Sequence, residues 1–449
     1  PLWGAFPRIG LLGLTFVRGS EPRPGAPAPV STPTPNPRPV PLGITAASSA
    51  RIASAAAPIA PVPTTQPVVE LTLTPPAPFK FAERVLLTDN DTKLFVVWDG
   101  SGLSSTGSQD RHQLYDLSDG SLIWSIDRPT GSDQSVDAAT ASEEFCMMQN
   151  RQGTFQTFSK YDNSGEVFTL DESFGWITDG AAISDDGAQA VSLHNSGCSV
   201  HTNDDGTPDS TPSNVPAGEY RHFGASDDAD IVVGQLQGNV GVTAYNVATN
   251  SQLWTEASHF CGSPQPNGRR APRIAVDADG SAWVYADGST QAMHFVSSNT
   301  TQWNIASPNG SSQVPFTGVA ITPNGSRVAA IYGSGGYNLT VLDTATPTLQ
   351  STVGIDSAGD TIAIRFKPDG SQVVGIFGTG TDTSGAVAWA HKPGTLTASP
   401  ILYLPRGRRV WHGSVGVNGT RLAVSTRKEQ LLPGSDNPRV IVATIPTLA

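Results

Sequence analysis

One turn, repeated through the chain, limits what it can fold into. In VAITPNGSRVAAIYGSGGYNLTVLDTATPTLQSTV (319–353) the pair Asn324-Gly325 separates two runs that alternate apolar and polar residues. That pattern predicts a β-hairpin with both turn residues at positive φ. A second turn at Asp343–Pro347 precedes one more short run, so about 35 residues predict four antiparallel strands. A meander of that size cannot bury both faces by itself, and its copies must therefore stack on one another. Asp186-Gly187, Asp279-Gly280, Asp369-Gly370 and Asn418-Gly419 sit in matching contexts, and degenerate copies centre on Asn90, Glu143 and Asp228. The eight turns are 42 to 53 residues apart, the period of propeller blades. Second hairpins recur at 115–126, 245–257, 295–306 and 341–353.

The fold class expected is all-β, a β-propeller of eight four-stranded blades, with seven as the alternative. The last copy has strands near Val415, Leu422–Ser425 and Val440–Ile445 and then runs out of chain. VVELTLTP (68–75) alternates cleanly ahead of the first copy. Val69, Leu71 and Leu73 are thus expected to complete the final blade and close the ring, removing an exposed edge. Residues 68–449 then form the propeller and 1–67 an extended N-terminal arm. Within the arm, EPRPGAPAPVSTPTPNPRPVP places proline at nearly every second position, which forbids helix and sheet ladders and favours polyproline II. Ahead of it lies an apolar run, Ile9–Val17, whose Ile9, Leu11, Leu12, Leu14, Phe16 and Val17 need a partner to cover them.

Charge divides the chain at the same place. Residues 1–69 carry Glu21 and five arginines, a net +4, so a total of −12 leaves −16 on residues 70–449. A basic, apolar-tipped arm on an acidic body suits head-to-tail association between copies, because attraction steers the arm onto a neighbour. The same balance excludes a basic nucleic-acid face on the propeller. Charged residues are only 15% of the chain, and glycine with proline makes 82 of 449, which suits a turn-rich extracellular protein. No run of 18 apolar residues predicts a transmembrane helix.

ITPNGSRVAAIY followed by LTVLDTATPTLQSTV resembles the YVTN-type repeat of secreted and surface-layer propellers. YDLSDGSLIW and YNVATNSQLW resemble quinoprotein-type repeats, with Trp124 and Trp254 at the blade-packing position. The Pro-rich stretch is similar to hydroxyproline-rich cell-wall glycoprotein modules. Such resemblance implies a fold far more than an activity, since these repeats serve enzymes, adhesins and structural proteins alike.

Chemistry is sparse. The eight histidines show no HExxH or HxH spacing, and neither a Gly-x-Ser-x-Gly elbow nor a vicinal cysteine pair of the quinoprotein kind occurs. No cofactor is expected, and the one metal candidate is TNDDGTPDS. There Asn203, Asp205 and Asp209 offer oxygen ligands for Ca²⁺ around Gly206, with a plain Asp/Gly turn as the competing reading. Cys198 and Cys261 are candidates for a disulfide across neighbouring blades, with Cys146 a buried thiol, although three pairings are open. Six sequons, at Asn90, Asn299, Asn309, Asn324, Asn338 and Asn418, mark expected N-glycosylation sites. Together these features point to an extracellular or cell-surface, non-enzymatic structural glycoprotein whose partners are copies of itself and covalent glycans. A propeller enzyme of the quinoprotein-dehydrogenase or lactonase type, with its site at the channel mouth, is one alternative. A carbohydrate binder using Trp389 or Trp411 as a stacking platform is the other.

Overall fold

The computed structural model describes residues 67–448 apart from 89, 101–108, 130–131, 140–143, 152–154, 173–179, 195–196, 203–204, 217–219, 237–240, 260, 262–272, 289–291, 307–315, 333–336, 348, 356–360, 379–384, 405–407 and 429–437. The chain divides into two units, 1–55 and 56–449. The assembly-arm residues Ile9, Leu11, Leu12, Leu14, Phe16 and Val17, with the rest of 1–66, lie outside the described residues, as does Asn309.

The second unit is a β-propeller without helices among its described residues. Its blades span 82–129, 132–172, 180–201, 220–256, 274–306, 316–355, 361–404 and 408–444, numbered 1 to 8 here. Every blade is an antiparallel meander, and the first strands of successive blades contact one another around a closed ring. First strands are therefore innermost. The all-β propeller of four-stranded blades is as expected, and among the described residues seven sheets have four strands and blade 3 has three. The reason is legible in 207–216, where Pro208, Pro212 and Pro216 have no N–H to donate to a ladder. In place of a strand, Ser210 makes an isolated bridge to Val200, closing the blade's outer edge at one point.

Ring closure is as expected. Val69–Leu73 pairs antiparallel with Val440–Thr444 as the outermost strand of blade 8. Glu70 bonds Arg421 at 2.5 Å, and Thr444 and Val68 exchange hydrogen bonds. A register shift between Val69 and Leu71 breaks the alternation, so Val69 is exposed while Leu71 and Leu73 pack on the core of Val440, Val442 and Trp98.

The recurring turn has a different geometry from the one expected. Gly325 N–H donates to the Thr322 carbonyl at 2.9 Å and only Gly325 has positive φ, at 66°. Gly187, Gly280, Gly370 and Gly419 repeat it with φ of 72°, 70°, 67° and 62°. Asp186, Asp279, Asn324 and Asp369 serve instead as side-chain acceptors, as when Asn324 Oδ1 takes the Ser326 N–H and hydroxyl. Two of the degenerate copies keep the fold of the turn by placing Asp91 (φ 57°) and Ala229 (φ 60°) in the left-handed position, and Glu143 of the third lies outside the described residues.

Blades are joined by half-buried tryptophans. Trp124, on the outer strand of blade 1, stacks on Tyr161 of blade 2 and donates Nε1–H to the Asp162 carbonyl at 2.9 Å. Trp254 of blade 4 packs on Trp283 and Tyr285 of blade 5, and Trp303 of blade 5 donates to the Thr344 carbonyl of blade 6. Cys198 and Cys261 are buried free thiols in different core clusters, so the proposed disulfide is absent. Burial pushes the Cys198 thiol up to about 12, out of the reactive range. The Cys146 side chain lies outside the described residues.

Candidate functional site

Two polar features stand out from this frame. The first is an open cavity of about 770 Å³ at one face of the ring, lined by the turns that join first and second strands in blades 3, 4 and 5. A backbone ladder sets those turns side by side. Asp185 N–H donates to the Asp227 carbonyl (2.7 Å), Asp227 N–H to that of Ala278 (2.9 Å), and Ala278 N–H to that of Pro323 in blade 6 (2.9 Å). Five carboxylates, Asp185, Asp186, Asp227, Asp228 and Asp279, thereby share one wall.

Their electrostatics follow from local bonding. Ser184 hydroxyl and Ala188 N–H hold Asp186 below the usual carboxylate range, and Ser281 does the same for Asp279. Burial pushes Asp227 up, the Asp185 charge adds to that, and Arg365 on the inner strand of blade 7 opposes it. Among its described lining residues there is no histidine, cysteine or lysine. The wall can attract a cationic group.

Behind this wall Asp277 is 2% exposed, and burial pushes it up to about 6 against hydrogen bonds from Ala282 N–H and the Ser281 hydroxyl. A folded value above the unfolded one means that its contribution is complete below about pH 4 and is lost as pH rises through about 6. Asp277→Asn should therefore gain on wild type as pH rises through that window, by on the order of 2 kcal/mol at neutrality, in urea melts across pH. Parallel curves for the two proteins would refute this assignment.

The second feature is a group of three. Tyr285 and Asp287 project from one face of Ala282–Asp287 in blade 5, and His294, directly opposite Tyr285 on Ala292–Ser297, shares that face. His294 and Asp287 are thus a diagonal cross-strand pair. His259 joins them from the connection that leaves blade 4 after Ser251–Glu256. Asp287 Oδ2 lies 3.9 Å from His259 Nε2 and 3.8 Å from His294 Nε2, and candidate ligand atoms of all three lie within 4.8 Å of one another. His259 Nδ1 is hydrogen-bonded to the Tyr285 hydroxyl at 2.7 Å, and Tyr285 stacks flat on His294. Burial lowers His294 to about 4, with the His259 charge adding to the shift and Asp287 opposing it, so the ring is neutral at pH 7.

The sequence-predicted site residues fall elsewhere. Asn203 lies outside the described residues. Asp205 Oδ1 accepts the Thr207 N–H, and Asp209 Oδ2 accepts the Thr202 N–H and hydroxyl, so both close turns in the segment that caps blade 3. Of the sequon asparagines, Asn299, Asn324 and Asn418 are exposed at turns, and Asn90 and Asn338 are half-buried. The proposed sugar-stacking platforms are not surfaces. Trp411 is buried against Phe81 under Arg427, and Trp389 packs into the blade 6–7 core. The histidine–aspartate group escaped sequence reasoning because its members come from two blades. The sequence signal was confined to Asp287 and His294, which lie between the Asp279-Gly280 turn and the 295–306 hairpin.

No family model and no curated protein match this chain. Among solved structures it is similar to the crystal structure of the C-terminal WD40 domain of Sif2, at 12% identity and a TM-score of 0.55, over 85% of this chain and all of that domain. Such a likeness shows the propeller fold and nothing finer.

Proposed function

We propose that this chain is an extracellular or cell-surface, non-catalytic propeller scaffold that assembles with copies of itself, the basic N-terminal arm of one copy docking on the acidic propeller of the next. The observation that carries the reading is the acid-lined wall of blades 3 to 5, in a chain whose residues 1–69 carry a net +4 against −16 on the remainder. A closed ring supports it, since closure leaves few unpaired strand edges for nonspecific association. Val69–Leu73 is the outermost strand of blade 8, so the first described residues lie at the periphery of the ring. Because arm and wall are different surfaces, the contact is heterologous and extends into a fibre unless the rotation closes. The exposed turns at Asn299, Asn324 and Asn418 leave room for glycans in a secreted protein. The resemblance to YVTN-type and cell-wall glycoprotein repeats agrees with this role.

Sedimentation velocity and negative-stain microscopy test the proposal. Deleting residues 1–41 should leave a soluble folded monomer. Assembly of the full chain should weaken between 0.1 M and 1 M salt, as the screening length falls from about 10 Å to about 3 Å. Fibres that persist after the deletion, or that ignore salt, would remove the arm from the mechanism.

A further inference from the structure

We propose that His259, Asp287 and His294 form a binding site for a divalent transition-metal cation of the Zn²⁺ class, tying the blade 4–5 connection to blade 5. Two imidazole nitrogens and one carboxylate oxygen converge, the donor set that Zn²⁺ and its neighbours in the first transition row accept and that Ca²⁺ and Mg²⁺ do not. The two separations to Asp287, 3.8 and 3.9 Å, are slightly wider than the edge of about 3.3 Å that bond lengths near 2.0 Å give a tetrahedron, and all three ligand atoms lie within 4.8 Å, so the triangle must contract to seat the ion.

One buried histidine in a series of four makes the case. Third strands carry His112 in blade 1, His201 in blade 3, His294 in blade 5 and His391 in blade 7, all nearly inaccessible. His112 is bonded to the Tyr161 hydroxyl, His201 to the Gly206 carbonyl, and His391 to both the Ser351 hydroxyl and the Thr397 carbonyl. Only His294 has neither ring nitrogen hydrogen-bonded, at 3% exposure. Leaving both nitrogens of a buried imidazole unsatisfied is costly unless a ligand supplies the partner. A proton on either histidine cannot be that partner, since both lie beyond hydrogen-bond reach of Asp287 Oδ2. An ion among the three supplies His294 Nε2 with that partner. Tyr285 fixes the ring of His259 so that Nε2 faces inward, the part an orienting partner plays at metal sites. Glu256 and Arg273 are the other charged groups near the cluster, one on each side of the charge balance. Three protein ligands leave one coordination position open, on the side where His259 is partly accessible.

The test uses the full chain, stripped with chelator and titrated with Co²⁺ in the visible region and with Zn²⁺ by calorimetry. The expected result is a d–d band of a four- or five-coordinate ion saturating at a single equivalent, displaced by Zn²⁺ and untouched by excess Ca²⁺. His259→Ala, which alters the most accessible ligand, should weaken binding more than about 100-fold while the far-UV spectrum and melting curve of the metal-free protein stay unchanged. Tyr285→Phe, at a positioning residue, should weaken it by the roughly 10- to 100-fold typical of lost orientation. No band, or an equal band in His259→Ala, would overturn the proposal. Assembly measured with and without chelator separates this result from the scaffold reading, which does not require the ion.

Discussion

Gly280→Ala is expected to cost about 2–5 kcal/mol, the largest loss from any single added methyl at the repeated turns. Left-handed backbone costs a residue with a Cβ about 1–2 kcal/mol, and forcing a group into a filled space adds about 1–3 kcal/mol. Both conditions hold here. Gly280 has φ 70°, and a Cβ would lie 2.6 Å from Ile231 Cβ and closer still to Cγ1. Ile231 begins the second strand of blade 4, so relief of the clash must spread blades 4 and 5 apart. Gly394 separates the two contributions, because it has φ 85° with nothing within 4 Å of the added carbon. Gly394→Ala should lose only the conformational part, about 1–2 kcal/mol. Chemical denaturation of the two variants gives the comparison, and equal losses would show that the blade contact is slack.

Deleting residues 1–74 should abolish the cooperative unfolding transition, whereas deleting 1–41 should leave it in place. The longer deletion removes the ladder to Val440–Thr444, the Glu70–Arg421 pair, and the cover that Leu71 and Leu73 provide over Trp98, Val440 and Val442. The two half-buried leucines alone contribute about 2–3 kcal/mol on the scale for full burial of such side chains. The greater effect is topological. Blade 8 would expose an unpaired strand, and such an edge templates association with other chains. Differential scanning calorimetry and binding of a hydrophobic dye distinguish the outcomes. A sharp transition in the 1–74 deletion would mean that three strands suffice in blade 8, as they do in blade 3.

The tolerance of blade 3 shows how closely the fold follows chemistry visible along the chain. Asp-Gly and Asn-Gly pairs at a period of 42 to 53 residues marked the hairpins, and the strand missing from the last repeat identified 69–73 as its replacement. The prolines of 207–216 were equally visible, yet their consequence was not, because whether a blade edge receives a strand or a single bridge depends on what covers it in three dimensions. Turn geometry was misjudged for a related reason. Asn-Gly allows two residues at positive φ, but the Thr322 hydroxyl and Asn324 amide oxygen bind the turn from within and hold only Gly325 there.

What the sequence determined by itself was the repeat unit, its number, the closing strand and the division of charge, since all depend on local alternation and composition. What only the tertiary structure decided was which side chains meet. Trp389 and Trp411 became core because neighbouring blades cover them, and five aspartates became one wall because backbone bonds align their turns. His259, Asp287 and His294 converge across 35 residues and two blades, and no spacing rule announces them. Ring closure brings one blade's outgoing connection onto the next blade's hairpin, and that contact exists only once the blades have packed.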